Sequence, residues 1–312
     1  MFKYSNTNKR YYTLDYYYKN RFGCKVCKIN LDANFTCPNI DGTKGVGGCI
    51  YCLNGSSDFK KNVSLLEQFY ERKKIMLNKW PNSKLIGYFQ ANTNTYDTVD
   101  NLKKKYELIL KQDNVIGLSI ATRADSISDD VFDYLCELNK RTYLTIELGL
   151  QTIHKDTAKL INRCHSLECF DNMVKRLRDN NIDVVVHIIN GLPYESKDMM
   201  LETIKHLNTL DIQGIKIHML SIVKGTKLYK MYQDKPFKIL TRDEYIDIVC
   251  DQIELLNDSI VIHRLTGDPI KEALVEPNWI LNKIDVLNGI DKELNRRNTY
   301  QGIRKNSIQI NE

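Results

Sequence analysis

Two hydrophobic periods alternate along residues 25–220. Short runs with apolar residues at every second position are separated by longer stretches with apolar residues three and four apart. The first period predicts strands over residues 26–31, 85–90, 115–122, 143–150, 182–189 and 214–220. The second predicts helices over stretches such as 65–79, 129–140 and 197–210. Strands separated by helices pair in parallel through crossovers. Six such units imply an α/β fold, a partial (β/α)6 TIM-type barrel, because a full eightfold barrel usually takes roughly 250 residues.

The fourth strand carries the barrel reading furthest. Leu144, Ile146, Leu148 and Leu150 alternate with Thr145, Glu147, Gly149 and Gln151. The apolar set suits a face covered by helices, and the polar set then points into the lumen. The third and sixth strands repeat the pattern with Gly117, Ser119 and Ala121, and with Lys216 and His218. A lumen lined by small and polar groups has room for a ligand; alternatively, the polar groups pair with one another.

Three segments follow. Residues 1–22 form an N-terminal arm with six tyrosines, two phenylalanines and five cations against Asp15. Residues 23–222 form the barrel, and 223–312 a mixed extension with a helix over 241–257, a short strand over 259–265 and mostly helix over 276–297. The arm carries no apolar leader, and the longest apolar stretch, near residues 184–189, contains His187 and is far short of a membrane span. The expectation is a cytoplasmic protein with no membrane partner. Its net charge of +6 permits a nucleic-acid partner without requiring one.

Nine cysteines in such a chain read as buried thiols or metal ligands rather than disulfides. Cys49 and Cys52 form a C-x2-C pair, and Cys37 precedes them across eleven residues that include Gly42, Gly45, Gly47 and Gly48. Glycines let a backbone wrap closely around an object. Three thiolates fall one short of the four that a [4Fe–4S] cluster normally takes, leaving one iron open. A competing pattern is Cys24-x2-Cys27-x21-Cys49-x2-Cys52, close to a four-cysteine zinc site. The cluster reading places Cys37, Cys49 and Cys52 in one loop at the C-terminal end of the first strand, the functional rim of a β/α barrel. The zinc reading leaves Cys37 and the glycines unexplained.

The loop from Cys37 to Cys52, Cys-Pro-Asn-Ile-Asp-Gly-Thr-Lys-Gly-x-Gly-Gly-Cys-Ile-Tyr-Cys, resembles the cluster loop of the radical S-adenosylmethionine (SAM) superfamily. Within it, the branch is that of the Elongator catalytic subunit and oxygen-independent coproporphyrinogen dehydrogenase, and more narrowly the MnmL-type bacterial group. The likeness continues through Tyr-Phe-Gln-Ala-x-Thr-Asn-Thr-Tyr (from Tyr88) and Glu-x-Gly-x-Gln-Thr (from Glu147). It runs on through His-Ile-Ile-Asn-Gly-Leu-Pro (from His187), His-Arg-Leu-Thr-Gly-Asp (from His263) and Arg-Arg-Asn-x-Tyr-Gln-Gly (from Arg296).

The resemblance implies a [4Fe–4S] cluster on Cys37, Cys49 and Cys52, the catalytic core. Its open iron chelates SAM, which an electron from a reduced flavodoxin or ferredoxin-type donor cleaves to a 5′-deoxyadenosyl radical. It places Tyr51 against adenine, Gln151 at the ribose, His187 at the ribose or sulfonium, and Gly191 against adenine. Many members hold the SAM amino group with a Gly-Gly-Glu triplet; this chain has Gln90, Asn92 and Thr93 in that segment instead. Arg123 either binds a carboxylate or faces Asp125. Glu147 is either ion-paired or a cofactor contact, since a lone buried carboxylate is costly.

The narrower likeness implies a tRNA-modifying enzyme that converts 5-carboxymethylaminomethyl-(2-thio)uridine at the wobble position to its 5-aminomethyl form. The aromatic, basic arm suits stacking on unpaired bases, with Lys271, Arg296, Arg297, Arg304 and Lys305 adding charge; equally, its tyrosines could pack the barrel's open edge. The alternatives are a radical SAM enzyme on a small molecule such as a porphyrin precursor, and a zinc-stabilised RNA-binding protein.

Overall fold

The computed structural model describes residues 2–53 and 63–305; Met1 of the arm and residues 306–312 of the extension lie outside them. The chain runs α1 (Leu14–Phe22), β1 (Val26–Leu31), α2 (Leu65–Lys79), β2 (Lys84–Phe89), α3 (Val99–Leu110), β3 (Val115–Thr122), α4 (Asp129–Asn139) and β4 (Tyr143–Gln151). It continues α5 (Lys155–Leu160), α6 (Leu167–Asp179), β5 (Asp183–Asn190), α7 (Lys197–Leu207), β6 (Gly214–Met219) and β7 (Ile222–Val223). The last elements are α8 (Lys227–Asp234), α9 (Arg242–Leu255), β8 (Val261–Arg264), β9 (Leu274–Glu276) and α10 (Lys283–Arg296). Local chemistry sets several starts. Ser64 with Glu67 and Thr241 with Glu244 close capping boxes on α2 and α9, and Thr226 caps α8.

Seven parallel strands curl into a half-barrel in the order β1-β2-β3-β4-β5-β6-β8. The sequence reading places the last of these in the extension. In the structure Ile215 of β6 pairs with Ile262 of β8, which covers an edge whose backbone groups would otherwise face water unpaired. The outward residues, among them Ile29, Phe89, Leu118, Ile146, Val186 and Ile217, form the core against the helices. The inward residues line up by register: Ala121 beside Glu147, Gly149 beside His187, His187 beside Lys216.

The arm is a floor. α1 inserts Tyr18, 2% exposed, against Val26 and Ile86, with Tyr17, Phe22 and Tyr143 around it. Tyr4 stacks on Tyr12 with ring centroids 4.4 Å apart. These aromatics pack against the barrel, as one of the two readings of the arm expects. The arm's cations are also engaged: Lys3 pairs with Asp258 at 2.7 Å, Lys9 with Asp291, and Arg10 Nη2 donates to Asn295 Oδ1 at 2.8 Å. Hydrogen bonds of the arm's own backbone add to these. Gln301 N donates to Arg10 O (2.9 Å), Tyr12 N to Gln301 Oε1 (2.8 Å), and Ile262 N to Tyr12 O (2.8 Å).

The expected helix over 276–297 is shorter. Leu274–Glu276 pairs antiparallel with β7, and a 3₁₀ turn spans Asn278–Leu281. Pro277 cannot donate in a helix interior, so α10 starts only where Asn282 accepts from Asp285 N. Arg297 then bridges Asp251 (2.6 Å), Asp247 (2.5 Å) and Glu293 (2.8 Å), tying α10 to α9. Among the described residues no helix is long and apolar enough to cross a membrane.

Candidate active site

The loop after β1 folds on itself before it meets anything else. Ile40 N donates to Cys37 O (2.8 Å), Lys44 N to Pro38 O (2.8 Å), Gly48 N to Asn39 O (2.7 Å) and Cys52 N to Cys49 O (3.0 Å). Gly47 and Gly48 adopt φ of +74° and +73°, the left-handed region. Gly45 is required for space: a Cβ there would overlap Asn39 Oδ1. Asn39 is fully buried and is the pin of the loop. Its Nδ2 donates to Asn162 O at 2.5 Å and lies 3.5 Å from Cys49 Sγ, while Asn162 Nδ2 donates to Gly48 O at 2.8 Å. The sequence reading missed both asparagines; Asn39, two residues after the first cysteine, was the available signal.

Cys37 and Cys49 are half-buried and Cys52 exposed. Burial pushes the Cys49 thiol up, against the pull of Tyr51, Arg123 and Asn39. Tyr51 packs beside Ile50, Leu192 and Leu228. Cys24 and Cys27 lie at the opposite end of β1, Cys24 beside the Tyr18 cluster and Cys27 in the core. A six-residue strand spans about 20 Å, so the four-cysteine zinc arrangement is not formed. Among the described residues no three His, Cys, Asp or Glu side chains converge on one ion.

The segment after β2 sits beside this loop. Gln90 N donates to Leu31 O (3.2 Å) and Thr93 N to Thr36 O (3.2 Å). Asn92, at φ +60°, donates from Nδ2 to Phe35 O (2.9 Å), and its buried Oδ1 has no partner among the described residues. Asn94 Oδ1 is likewise buried and unpartnered. Arg123 is held by Asp125 through two hydrogen bonds, 2.9 Å from Nε and 2.8 Å from Nη2. Gln151 stands at φ +67° and Gly191 at φ +82°, each where its strand breaks toward the rim.

Below them the lumen is crossed by one charge network. Glu147, whose side chain is wholly buried, accepts at Oε1 from Lys28 (2.6 Å) and Ser119 (2.7 Å), and at Oε2 from Lys216; His187 Nε2 lies 2.7 Å from Oε2. Lys216 also donates to Tyr88 OH at 2.9 Å. Five strands thus meet at one carboxylate. Glu147 is ion-paired here, and the polar lining pairs with itself at this level. Burial alone would raise the Glu147 carboxyl, but Lys216, Lys28 and His187 outweigh it and hold it well below the usual range. Burial, with Lys216 nearby, pushes His187 down to about 4, so its ring is neutral at neutral pH. His218 Nε2 and His263 Nδ1 face the same space with no partner among the described residues. Lys28 was legible as a cation on the inward face of β1, yet the sequence reading passed over it.

Residues 42–207 match the Radical SAM superfamily, and residues 212–296 match the Radical_SAM C-terminal domain. YtqA of Bacillus subtilis is 50% identical over 96% of this chain and 94% of its own length. The tRNA uridine(34) acetyltransferase of Methanocaldococcus infernus is 28% identical, over 52% of this chain and 30% of that protein. The solved archaeal Elp3 from M. infernus, lacking its N-terminus, superposes with a TM-score of 0.67 at 18% identity, over 89% of this chain and 65% of that one. The half-barrel, the rim loop and more than half of the sequence agree: the chain belongs to the radical SAM superfamily and is one of its enzymes.

Proposed function

We propose that Cys37, Cys49 and Cys52 hold a [4Fe–4S] cluster whose open iron chelates SAM, and that the enzyme modifies the wobble uridine of tRNA. The observation that carries the reading is the three-cysteine loop, closed on its own backbone at the mouth of a lumen whose floor α1 seals. The donor set suits an iron–sulfur cube, which spreads its thiolates over separate irons. The unpartnered Asn92 Oδ1, beside Gln90 and Thr93, suits an ammonium donor such as the SAM amino group. When bound, these groups supply reductive cleavage of the sulfonium to a carbon radical, chemistry that needs a dry enclosure.

The protein's own residues do the rest. Tyr51 and Gly191 bound the adenine, while Gln151 and the neutral His187 ring offer hydrogen bonds to the ribose. Glu147 orients His187 from behind. Arg123, neutralised by Asp125, fixes the field at Cys37 and Cys49.

The tRNA substrate rests on the acetyltransferase relative, named for its action at tRNA uridine 34, and on the likeness of the motifs. The specific reaction in this reading converts 5-carboxymethylaminomethyl-(2-thio)uridine to the 5-aminomethyl form. Mass analysis of tRNA nucleosides from a strain lacking the gene tests it. Loss of the 5-aminomethyl nucleoside with build-up of its 5-carboxymethylaminomethyl precursor is expected. An unchanged wobble-uridine profile removes tRNA as the substrate.

A further inference from the structure

The segment from Lys224 to Lys238 carries five lysines against one acid, Asp234. All five are exposed. Lys224, Lys230 and Lys235 make no ion pair among the described residues, whereas Lys3 and Lys9 of the arm are paired with Asp258 and Asp291. α8, inside this segment, borders the cysteine loop: Leu228 N donates to Ile50 O at 2.8 Å and Lys227 Nζ to Val46 O at 3.3 Å. A second observation points to the same rim. Tyr194, just past β5, is 61% exposed, stands at φ +68°, and meets Phe237 of the lysine segment edge-on with ring centroids 6.3 Å apart.

We propose that this rim, the Lys224–Lys238 fringe with Tyr194, is the surface that holds a single-stranded RNA loop at the mouth of the lumen. The inference rests on the tRNA reading above. Unpaired lysines match the phosphate backbone, and an exposed ring supported from behind is a platform for an unpaired base. The aromatic platform favours RNA over an acidic protein, which would need only the charge. The arm then serves the fold, and the RNA is received at the opposite end of the barrel.

The test is fluorescence anisotropy of a labelled tRNA anticodon stem-loop with the full chain across a salt series. Each phosphate contact on a single strand contributes about 0.7 to the slope of log affinity against log salt. Lys224→Glu/Lys230→Glu/Lys235→Glu is expected to weaken binding more than about ten-fold and to flatten that slope by about 2. Lys74→Glu/Lys104→Glu/Lys111→Glu, the same charge change on exposed residues of α2 and the α3 end, should do far less. Tyr194→Ala should weaken binding about ten-fold with the slope unchanged, because stacking releases no counterions. Thermal midpoints verify folding, and if the triple variant unfolds, Lys230→Gln and Lys235→Gln singly carry the charge test. If the wild-type chain binds no RNA at any salt, the tRNA reading itself fails. If it binds and the rim variants match the α2/α3 control, only the rim assignment is overturned. Loss of reduction by an acidic flavodoxin, with RNA binding intact, would likewise overturn it in favour of a protein partner.

Discussion

His187 of β5 and Glu147 of the neighbouring β4 meet inside the lumen with 2.7 Å between Nε2 and Oε2, and the same carboxylate also answers to lysines from β1 and β6. Its loss should be expensive. Glu147→Gln leaves Lys28 and Lys216 facing each other without an anion, and breaking a buried pair costs about 3–5 kcal/mol. Urea unfolding should show a loss of that order, and adding Lys216→Met should recover part of it. Full additivity of the two changes would refute the network.

The neutral His187 ring makes stability depend on pH. Its folded value of about 4 lies below the unfolded 6.5, so the unfolded chain binds more protons between them. Stability therefore rises with pH through that window and is lost as pH falls from 6.5 toward 4, by roughly 1.4 kcal/mol per pH unit at most for one group. His165, also pushed down to about 4 by burial, adds in the same direction. Urea midpoints at neutral and mildly acidic pH should fall less steeply in His187→Gln than in the parent.

Ligand assignment is checked by iron content after anaerobic reconstitution. Cys49→Ala should abolish both iron retention and SAM cleavage, whereas Cys24→Ala, at the far end of β1, should leave both largely intact. Asn39→Ala should give partial iron retention, because it unpins the loop without removing a thiolate. Iron lost from Cys24→Ala would overturn the assignment.

Tyr18 is the plug of the floor. Tyr18→Ala should cost about 3–5 kcal/mol, the range for deleting a large buried ring, since its side chain packs Val26 and Ile86 at the base of the sheet. A thermal shift no larger than that of an exposed substitution such as Tyr70→Ala would show that the arm only rests on the barrel.

The strands were legible because inward and outward residues differ so sharply in polarity. β1 and β3 fall on their predicted bounds, and β4 runs one residue past its own. What the pattern could not show was pairing across the lumen. Lys28, Glu147 and Lys216 are each a single polar residue in a strand, and only the curl of the sheet brings them to one point. The strand expected over 259–265 is there as β8, but the same limit hid which sheet it joins, since a four-residue period alone does not say. It also hid the arm's ion pairs, because Lys3 and Lys9 find their acids, Asp258 and Asp291, more than 250 residues away. Asn39 and Asn162 escaped notice because a hydrogen bond between two loops leaves no periodic trace.

The bonds joining Arg10 and Tyr12 to Gln301 have a consequence for biogenesis. Residues 10–12 cannot be clasped until residue 301 has been made, and contacts so distant in sequence form late. Until then the base of the sheet lacks the fastening that fixes it.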